Sequence, residues 1–88
     1  RDRAQANAYA EGKIESLRSA GFLQVNDGST DITDELPTEL SPPRSATLNV
    51  TSPSSGMKQV VLDLSYNSQG KELSETYTTY IGELGAGQ

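Results

Sequence analysis

The apolar residues of this 88-residue chain are spaced for a helix near its beginning and for β-strands in its second half. Over residues 3–20 the apolar positions recur at intervals of three and four, which keeps them on one stripe of a helix with about 3.6 residues per turn. That stripe consists of Ala6, Ala10, Ile14 and Leu17. Gly21 follows directly, and glycine is typical of a helix C-terminus. The pattern therefore predicts an N-terminal helix over residues 3–20.

The second half of the chain alternates apolar and polar side chains, the period of a half-buried β-strand. Such runs fill residues 45–82 and are separated by the turn sequences SPSSG and NSQG. Strands joined in this way form an antiparallel meander with one apolar face, which the helix is expected to cover. The sequence thus predicts a single α+β domain over residues 1–88, with the helix packed on a three- to four-stranded antiparallel sheet. Residues 82–88 are expected to form a frayed tail.

Residues 21–44 are polar and rich in proline and turn signals, so we expect them to form a connecting loop. Asp27, Ser29 and Asp31 match the first, third and fifth positions of an EF-type calcium loop. Ile32 stands where that loop needs glycine, and Thr38 stands where it needs glutamate. The pattern favours a solvated acidic loop without a metal requirement. An irregular calcium loop over residues 27–35 remains the alternative.

Composition excludes most catalytic chemistry. The chain has no His and no Cys, so the commonest general base, the thiolate nucleophile and the usual transition-metal ligands are all missing. Glu11 with Glu15 and Glu72 with Glu75 are the remaining carboxylate pairs, and neither is placed beside an evident pocket. The net charge of −5 argues against binding of nucleic acid. We expect no enzyme, no cofactor and no small-molecule substrate.

Two segments of the chain resemble type IV minor pilins and the minor pseudopilins of type II secretion. The first is the helix, where the resemblance is carried by Ala6, Ala10, Lys13, Ile14, Glu15, Leu17 and Arg18. The second is the last pair of strands, where it is carried by Lys58, Gln59, Val60, Leu62, Leu64, Tyr66, Thr78, Thr79, Tyr80 and Ile81. The lack of a cysteine pair favours a minor pilin or pseudopilin over those major pilins that carry one.

The resemblance implies a pilin-like fold and a structural role. The subunit would begin with a cleavable leader and an apolar half-helix, anchor in the cytoplasmic membrane, and then join an extracytoplasmic filament with other pilin-like subunits. On this basis the polar helix face is expected to contact neighbouring subunits through Arg3, Asn7, Glu11 and Arg18. The helix ahead of Ala6 is expected to fray or to project from the isolated domain.

An extracellular adhesive or ligand-binding α+β module is the alternative function. It depends on an exposed contact surface. Tyr66 and Tyr77 fall on the apolar side of their strands and are expected in or beside the core. Tyr80 falls on the other side of its strand and is the better candidate for an exposed contact. The sequence does not distinguish among piliation, secretion and DNA uptake.

Overall fold

A long helix and a meandering sheet make up the computed structural model, which describes residues 2–86. Helix α1 spans Asp2–Ala20. Two short 3-10 turns follow, at Phe22–Gln24 and Thr33–Glu35. The strands are β1 (Gly28–Asp31), β2 (Ser41–Ser54), β3 (Met57–Ser68), β4 (Lys71–Gly82) and the two-residue β5 (Gly85–Ala86). The order and spacing of these elements confirm an α+β arrangement with one helix packed on an antiparallel sheet.

The sheet is a simple meander in the order β1-β2-β3-β4-β5, with every neighbouring pair antiparallel. Successive residues of a strand point to opposite faces, and directly paired residues share a face. One face is turned toward α1 and is called the inner face. The outer face includes Ser29, Asp31, Ser45, Thr47, Asn49, Thr51, Met57, Gln59, Val61, Asp63, Ser65, Asn67, Glu72, Ser74, Thr76, Thr78 and Tyr80.

The core lies between α1 and the inner face and is divided into two clusters. The larger cluster combines Ala6 and Ala10 of the helix with Leu62, Leu64 and Tyr66 of β3, all of them buried. Ile32, Leu36, Leu40 and Ala46 complete it. The smaller cluster contains Val25, Val50, Val60 and Ile81, with Leu17 and Phe22 packed against it. Of the predicted packing stripe, Ala6 and Ala10 are fully buried, whereas Ile14 and Leu17 are half-buried.

The prediction of a connecting loop over residues 21–44 is wrong in part. Strand β1 lies inside that segment and pairs with β2 from Gly28↔Val50 to Asp31↔Thr47, and β2 itself begins at Ser41. All four residues of β1 are exposed and none is apolar, so the strand has no apolar alternation by which its sequence would show it. Its pairing with β2 supplies the stability that its own composition lacks. The segment also contributes core residues, as its buried Leu36 shows.

Both ends of the described chain are more ordered than the sequence suggests. Helix α1 already begins at Asp2, and the Ser68 hydroxyl donates a hydrogen bond to the Asp2 carboxylate at 2.7 Å. The helix ahead of Ala6 therefore lies against the sheet instead of projecting from it. At the other end, β5 pairs with Ile81 and Gly82, so the predicted fraying does not extend over residues 82–86. The prediction for Gly87 and Gln88 lies outside the described residues.

Lys58 fastens the segment after α1 to the sheet. Its ammonium group donates a hydrogen bond to the Val25 carbonyl, lies 3.8 Å from an Asp27 carboxylate oxygen and stands 5.1 Å from the centre of the Phe22 ring. A cation over an aromatic face is attracted by the negative charge density of the ring. Lys58 thus binds three groups of the segment that connects α1 to β1 and holds that segment against β3.

Replacing Leu17 by Asp should lower the free energy of unfolding by about 1–3 kcal/mol, because it places an unpaired carboxylate against the smaller core cluster. Ser16→Asp is the matched control, since Ser16 is exposed on the neighbouring position of the same helix. Urea unfolding of both variants measures the difference. Equal midpoints for Leu17→Asp and wild type would contradict the packing of α1 described above.

Candidate subunit interface

The four residues predicted to contact neighbouring subunits do not share one free face of α1. Arg3, Asn7 and Arg18 reach β4 of the same chain, whereas Glu11 is exposed. The reason is helical geometry. Asn7 precedes the buried Ala10 by three residues, and a helix turns about 100° per residue, so Asn7 lies only about 60° away from it around the helix. The polar face that was expected to contact other subunits therefore lies beside the apolar stripe, on one flank of α1, and its contact with other subunits stays a prediction.

Glu75 organises the contacts on this flank. Its carboxylate accepts hydrogen bonds from the hydroxyls of Tyr66 at 3.0 Å and Tyr77 at 2.6 Å, and it pairs with Arg3 Nε at 3.2 Å. The Tyr77 hydroxyl also lies against the side-chain amide of Asn7. A tyrosine hydroxyl can donate only one hydrogen bond, and Tyr77 donates it to the Glu75 carboxylate. The Asn7 side chain therefore fits this contact best when its NH2 group donates a hydrogen bond to the Tyr77 hydroxyl oxygen.

The pKa of Tyr77 is raised, first by burial and then by its hydrogen bond to the Glu75 carboxylate. The pKa of Tyr66 is raised by the same two causes in the same order. Both effects favour the neutral phenol, which can donate to Glu75, over the phenolate, which cannot. The contacts around Glu75 therefore require that both tyrosine hydroxyls stay protonated.

Arg18 contacts β4 from the last turn of α1. One terminal nitrogen of its guanidinium group donates a hydrogen bond to the Thr79 hydroxyl at 2.8 Å. Its Nε atom is buried without a hydrogen-bond partner. A side chain that is half-buried on its own sheet is poorly placed to reach another subunit, so Arg18 acts first in holding α1 to β4.

The opposite flank of α1 is held by a second glutamate. Glu35 accepts a hydrogen bond from the Tyr9 hydroxyl at 2.9 Å and forms an ion pair with Lys13 at 3.0 Å. The Lys13 hydrogen bond lowers the pKa of Glu35, while burial and this carboxylate raise the pKa of Tyr9. Sequence reasoning missed these contacts because Glu35 lies in the segment that was expected to be a free loop.

A ridge of small residues runs along the side of α1 that faces away from the sheet. Its members recur every four residues and are all exposed: Ala4, Ala8, Gly12, Ser16 and Ala20. A Cβ atom built on Gly12 would meet no other atom within 4 Å. Small side chains at this spacing let a second helix approach closely. The sequence contains this four-residue repeat of small residues, but the prediction of the helix used only the apolar stripe on its other side.

The acidic residues of the sequence do not converge. In residues 2–86 no group of three or more carboxylates is placed to hold a metal ion. Asp27 accepts hydrogen bonds from Ser52 at 2.8 and 2.9 Å, whereas Asp31 accepts them from the backbone and side chain of Thr33. Those two Thr33 bonds lower the pKa of Asp31.

The two carboxylate pairs considered for acid–base chemistry also lie outside the pocket at the C-terminal end of α1. Glu72 belongs to the outer face of the sheet and Glu75 to the inner face. A shallow pocket lies at the C-terminal end of α1 between residues 20–24 and residues 82–84. Neither glutamate lines it, and neither do Glu11 and Glu15 of the helix.

Comparison with protein-family models, with curated proteins and with solved structures gives no match for this chain. The pilin resemblance therefore stands on the sequence segments that carry it. Within residues 2–86, no helix is both long enough and apolar enough to cross a lipid bilayer.

Raising the pH should weaken the contacts that hold α1 to β4. Because the folded protein raises the pKa of Tyr77 above the ordinary value of 10.0, its stabilising effect is complete below pH 10 and is lost as the pH rises further. Thermal unfolding followed between pH 8 and pH 11.5 should therefore be less pH-dependent in Tyr77→Phe than in wild type (range chosen to span about pH 10). Tyr80→Phe is the control, since it removes a hydroxyl from the other face of the same strand. An unchanged pH slope in Tyr77→Phe would contradict the assignment.

Calcium should not stabilise this domain, because Asp27, Asp31 and Glu35 each bind a different partner within the chain. Thermal unfolding with and without millimolar calcium measures this directly. A saturable rise in the unfolding temperature would show that the acidic segment rearranges into a calcium site. Magnesium at the same concentration controls for ionic strength.

Proposed function

We propose that this chain is a structural subunit of a pilus-like or secretion filament, of the minor pilin or pseudopilin type. Support comes first from the two resembling segments, which are α1 and the β3–β4 pair. In the fold these segments lie on each other, since Ala6 and Ala10 share a cluster with Leu62, Leu64 and Tyr66. The two halves of the resemblance thus belong to one packing unit, as expected for a pilin-like head.

The observation that carries the proposal is the way α1 is bound. One stripe of the helix lies on the sheet, its two flanks are held by Glu75 and Glu35, and the residues of the small-residue ridge are exposed to solvent. A filament built from laterally packed helices needs a free helix side of this kind, joined rigidly to a head. Such packing is a heterologous contact, which need not close into a ring.

The proposed partners are other pilin-like subunits, and the role requires no catalysis and no cofactor. The resemblance further implies an anchor in the cytoplasmic membrane before assembly and an extracytoplasmic location afterwards. Of the four residues expected to contact other subunits, this proposal keeps one in that role. Glu11 remains available beside the ridge, whereas Arg3, Asn7 and Arg18 contribute mainly by fixing the helix on its own sheet.

Two substitutions at Gly12 test assembly separately from folding. Because nothing surrounds Gly12, both Gly12→Ala and Gly12→Gln should fold, and the loss of glycine should raise the free energy of unfolding by up to about 1 kcal/mol. In the full-length protein, expressed in a strain lacking the native gene, Gly12→Ala should assemble like wild type. Gly12→Gln should impair surface filaments, secretion or DNA uptake, because its longer side chain keeps a neighbouring helix away.

Deletion of the gene is the companion experiment. If filaments, secretion and DNA uptake all persisted without the protein, the filament role would be wrong. A normal phenotype of Gly12→Gln combined with a clear deletion phenotype would keep the filament role and remove the ridge from the interface.

A binding module is the second candidate function, and one observation favours it. Tyr80 is 47% exposed on the outer face of the sheet, away from α1. A surface on that side would remain accessible whether or not the helix is packed in a filament.

A further inference from the structure

Strand β4 forms an open edge of the sheet over most of its length. It spans Lys71–Gly82, and β5 pairs with it only at Ile81 and Gly82. Within residues 2–86 no other strand lies on that side of β4, because the sheet order ends with β3-β4-β5. From Glu72 to Thr78 the backbone of β4 is therefore paired with β3 on one side only.

The register shows which backbone groups of β4 point away from β3. The residues that flank a two-residue hairpin loop exchange N–H···O=C bonds, and bonding then recurs at every second residue. Ser68 and Lys71 flank such a loop, so the odd-numbered residues of β4 bond to β3. The N–H group of Glu83, which donates to the Gly56 carbonyl at 2.9 Å, has the same parity. The even-numbered residues thus turn their N–H and C=O groups toward the open edge. They are Glu72, Ser74, Thr76 and Thr78, and all of them are exposed.

This edge lacks several features by which proteins keep edge strands from pairing. A row of free N–H and C=O groups is a template for another extended chain, and proline, bulges or a very short strand normally prevent that pairing. The stretch from Glu72 to Thr78 contains no proline and pairs with β3 without a bulge. Strand β1, at the other end of the sheet, is by contrast only four residues long. The alternating donors and acceptors of β4 match an extended main chain, so the backbone itself determines the class of partner.

Carboxylates beside the edge select the side chains of that partner. Glu72 lies on the edge strand, and Asp63 lies on β3 directly opposite Thr76. Each accepts a hydrogen bond from a neighbouring hydroxyl, and in the described part of the chain neither forms an ion pair. Lysine or arginine at alternate positions of an added strand would lie on the same face as these two carboxylates.

The other face of the edge favours apolar side chains. Leu73 and Tyr77 are half-buried there and pack against the larger core cluster. Glu75 lies between them and is already paired with Arg3. Apolar side chains of an added strand would extend the contact that Leu73 and Tyr77 begin. The edge therefore fits an extended chain in which basic and apolar residues alternate.

We propose that the open edge of β4 binds an extended basic segment of a different protein as an added antiparallel strand. A second copy of this chain fits poorly, because each copy has a net charge of −5 and its β1 and β4 strands both carry carboxylates. Like charges on neighbouring strands oppose pairing. The inference uses the backbone of β4 and not the ridge of α1, so it does not depend on the proposed filament role.

The test uses the purified chain and three synthetic peptides. The first alternates lysine with valine, the second has glutamate in place of every lysine, and the third is the first with N-methyl groups on its lysines. The lysine N–H groups are those that an antiparallel strand would turn toward β4. Only the first peptide should bind in fluorescence anisotropy titrations at low salt. Equal binding of the glutamate peptide would contradict the charge selection, and equal binding of the N-methylated peptide would contradict strand addition.

Amide hydrogen exchange measures the edge directly. In the free chain the amides of Ser74, Thr76 and Thr78 should exchange quickly, and those of Glu75 and Tyr77 should exchange slowly. A saturating concentration of the lysine–valine peptide should slow the first group by at least about tenfold and leave the second group unchanged. Equal slowing of both groups would indicate general stabilisation and would show the proposal to be wrong.

Two substitutions at Thr76 form a matched pair. Both remove its hydroxyl, but Thr76→Pro also removes the N–H group that points away from β3. Thr76→Val should bind the lysine–valine peptide like wild type, and Thr76→Pro should bind it at least about fivefold more weakly. Glu72→Gln leaves the backbone unchanged and should weaken binding about twofold to fivefold. Unchanged binding in Glu72→Gln, or equal binding by the two Thr76 variants, would refute the proposal. Self-association of the chain that Thr76→Pro abolishes would make a second copy the occupant and would refute it as well.

Discussion

Burial of the inner face of the sheet is the constraint on which this structure depends. Only 33% of the residues are hydrophobic, so the core has to be thin. The helix meets this requirement with alanines, since Ala6 and Ala10 bring its backbone close to Tyr66 and Leu62 of β3. One helix cannot cover the whole face of so long a meander. Ile32, Leu36 and Leu40, which lie between β1 and β2, cover the remainder and make the polar connecting segment part of the core.

Because the apolar contact is narrow, polar contacts determine how the helix is oriented. Glu75 holds one flank through Arg3 of the helix and two tyrosines of the sheet, and Glu35 holds the other through Tyr9 and Lys13 of the helix. Exposed ion pairs contribute little on their own. Here they accompany hydrogen bonds to tyrosines whose pKa values are raised partly by burial, so the arrangement is more specific than an ion pair at the surface.

Whether the sequence predicts a structural element depends on how that element is stabilised. Helix α1 and strands β3 and β4 carry their own period, so their sequences were sufficient to predict them. Strand β1 is polar throughout and forms through its partner β2, which no local pattern shows. The four proposed interface residues were expected on a free polar face of the helix, whereas Arg3, Asn7 and Arg18 contact β4, because the sequence does not give the width of the contact between helix and sheet. With alanines in the contact, neighbouring positions such as Asn7 also come within reach of the sheet. The exposure of Tyr80 followed from strand parity alone, whereas the open edge of β4 required the knowledge that β5 pairs with its last two residues only.

The two glutamates that hold α1 also have a mechanical consequence. They hold the helix on opposite sides of its axis, so rotating the helix about that axis in either direction would pull one of its flanks away from the glutamate that binds it. Torque applied to the helix is therefore transmitted to the sheet instead of being absorbed at a hinge between them. The outer face turns with the helix, and its orientation in any assembly is set by how the helix is seated.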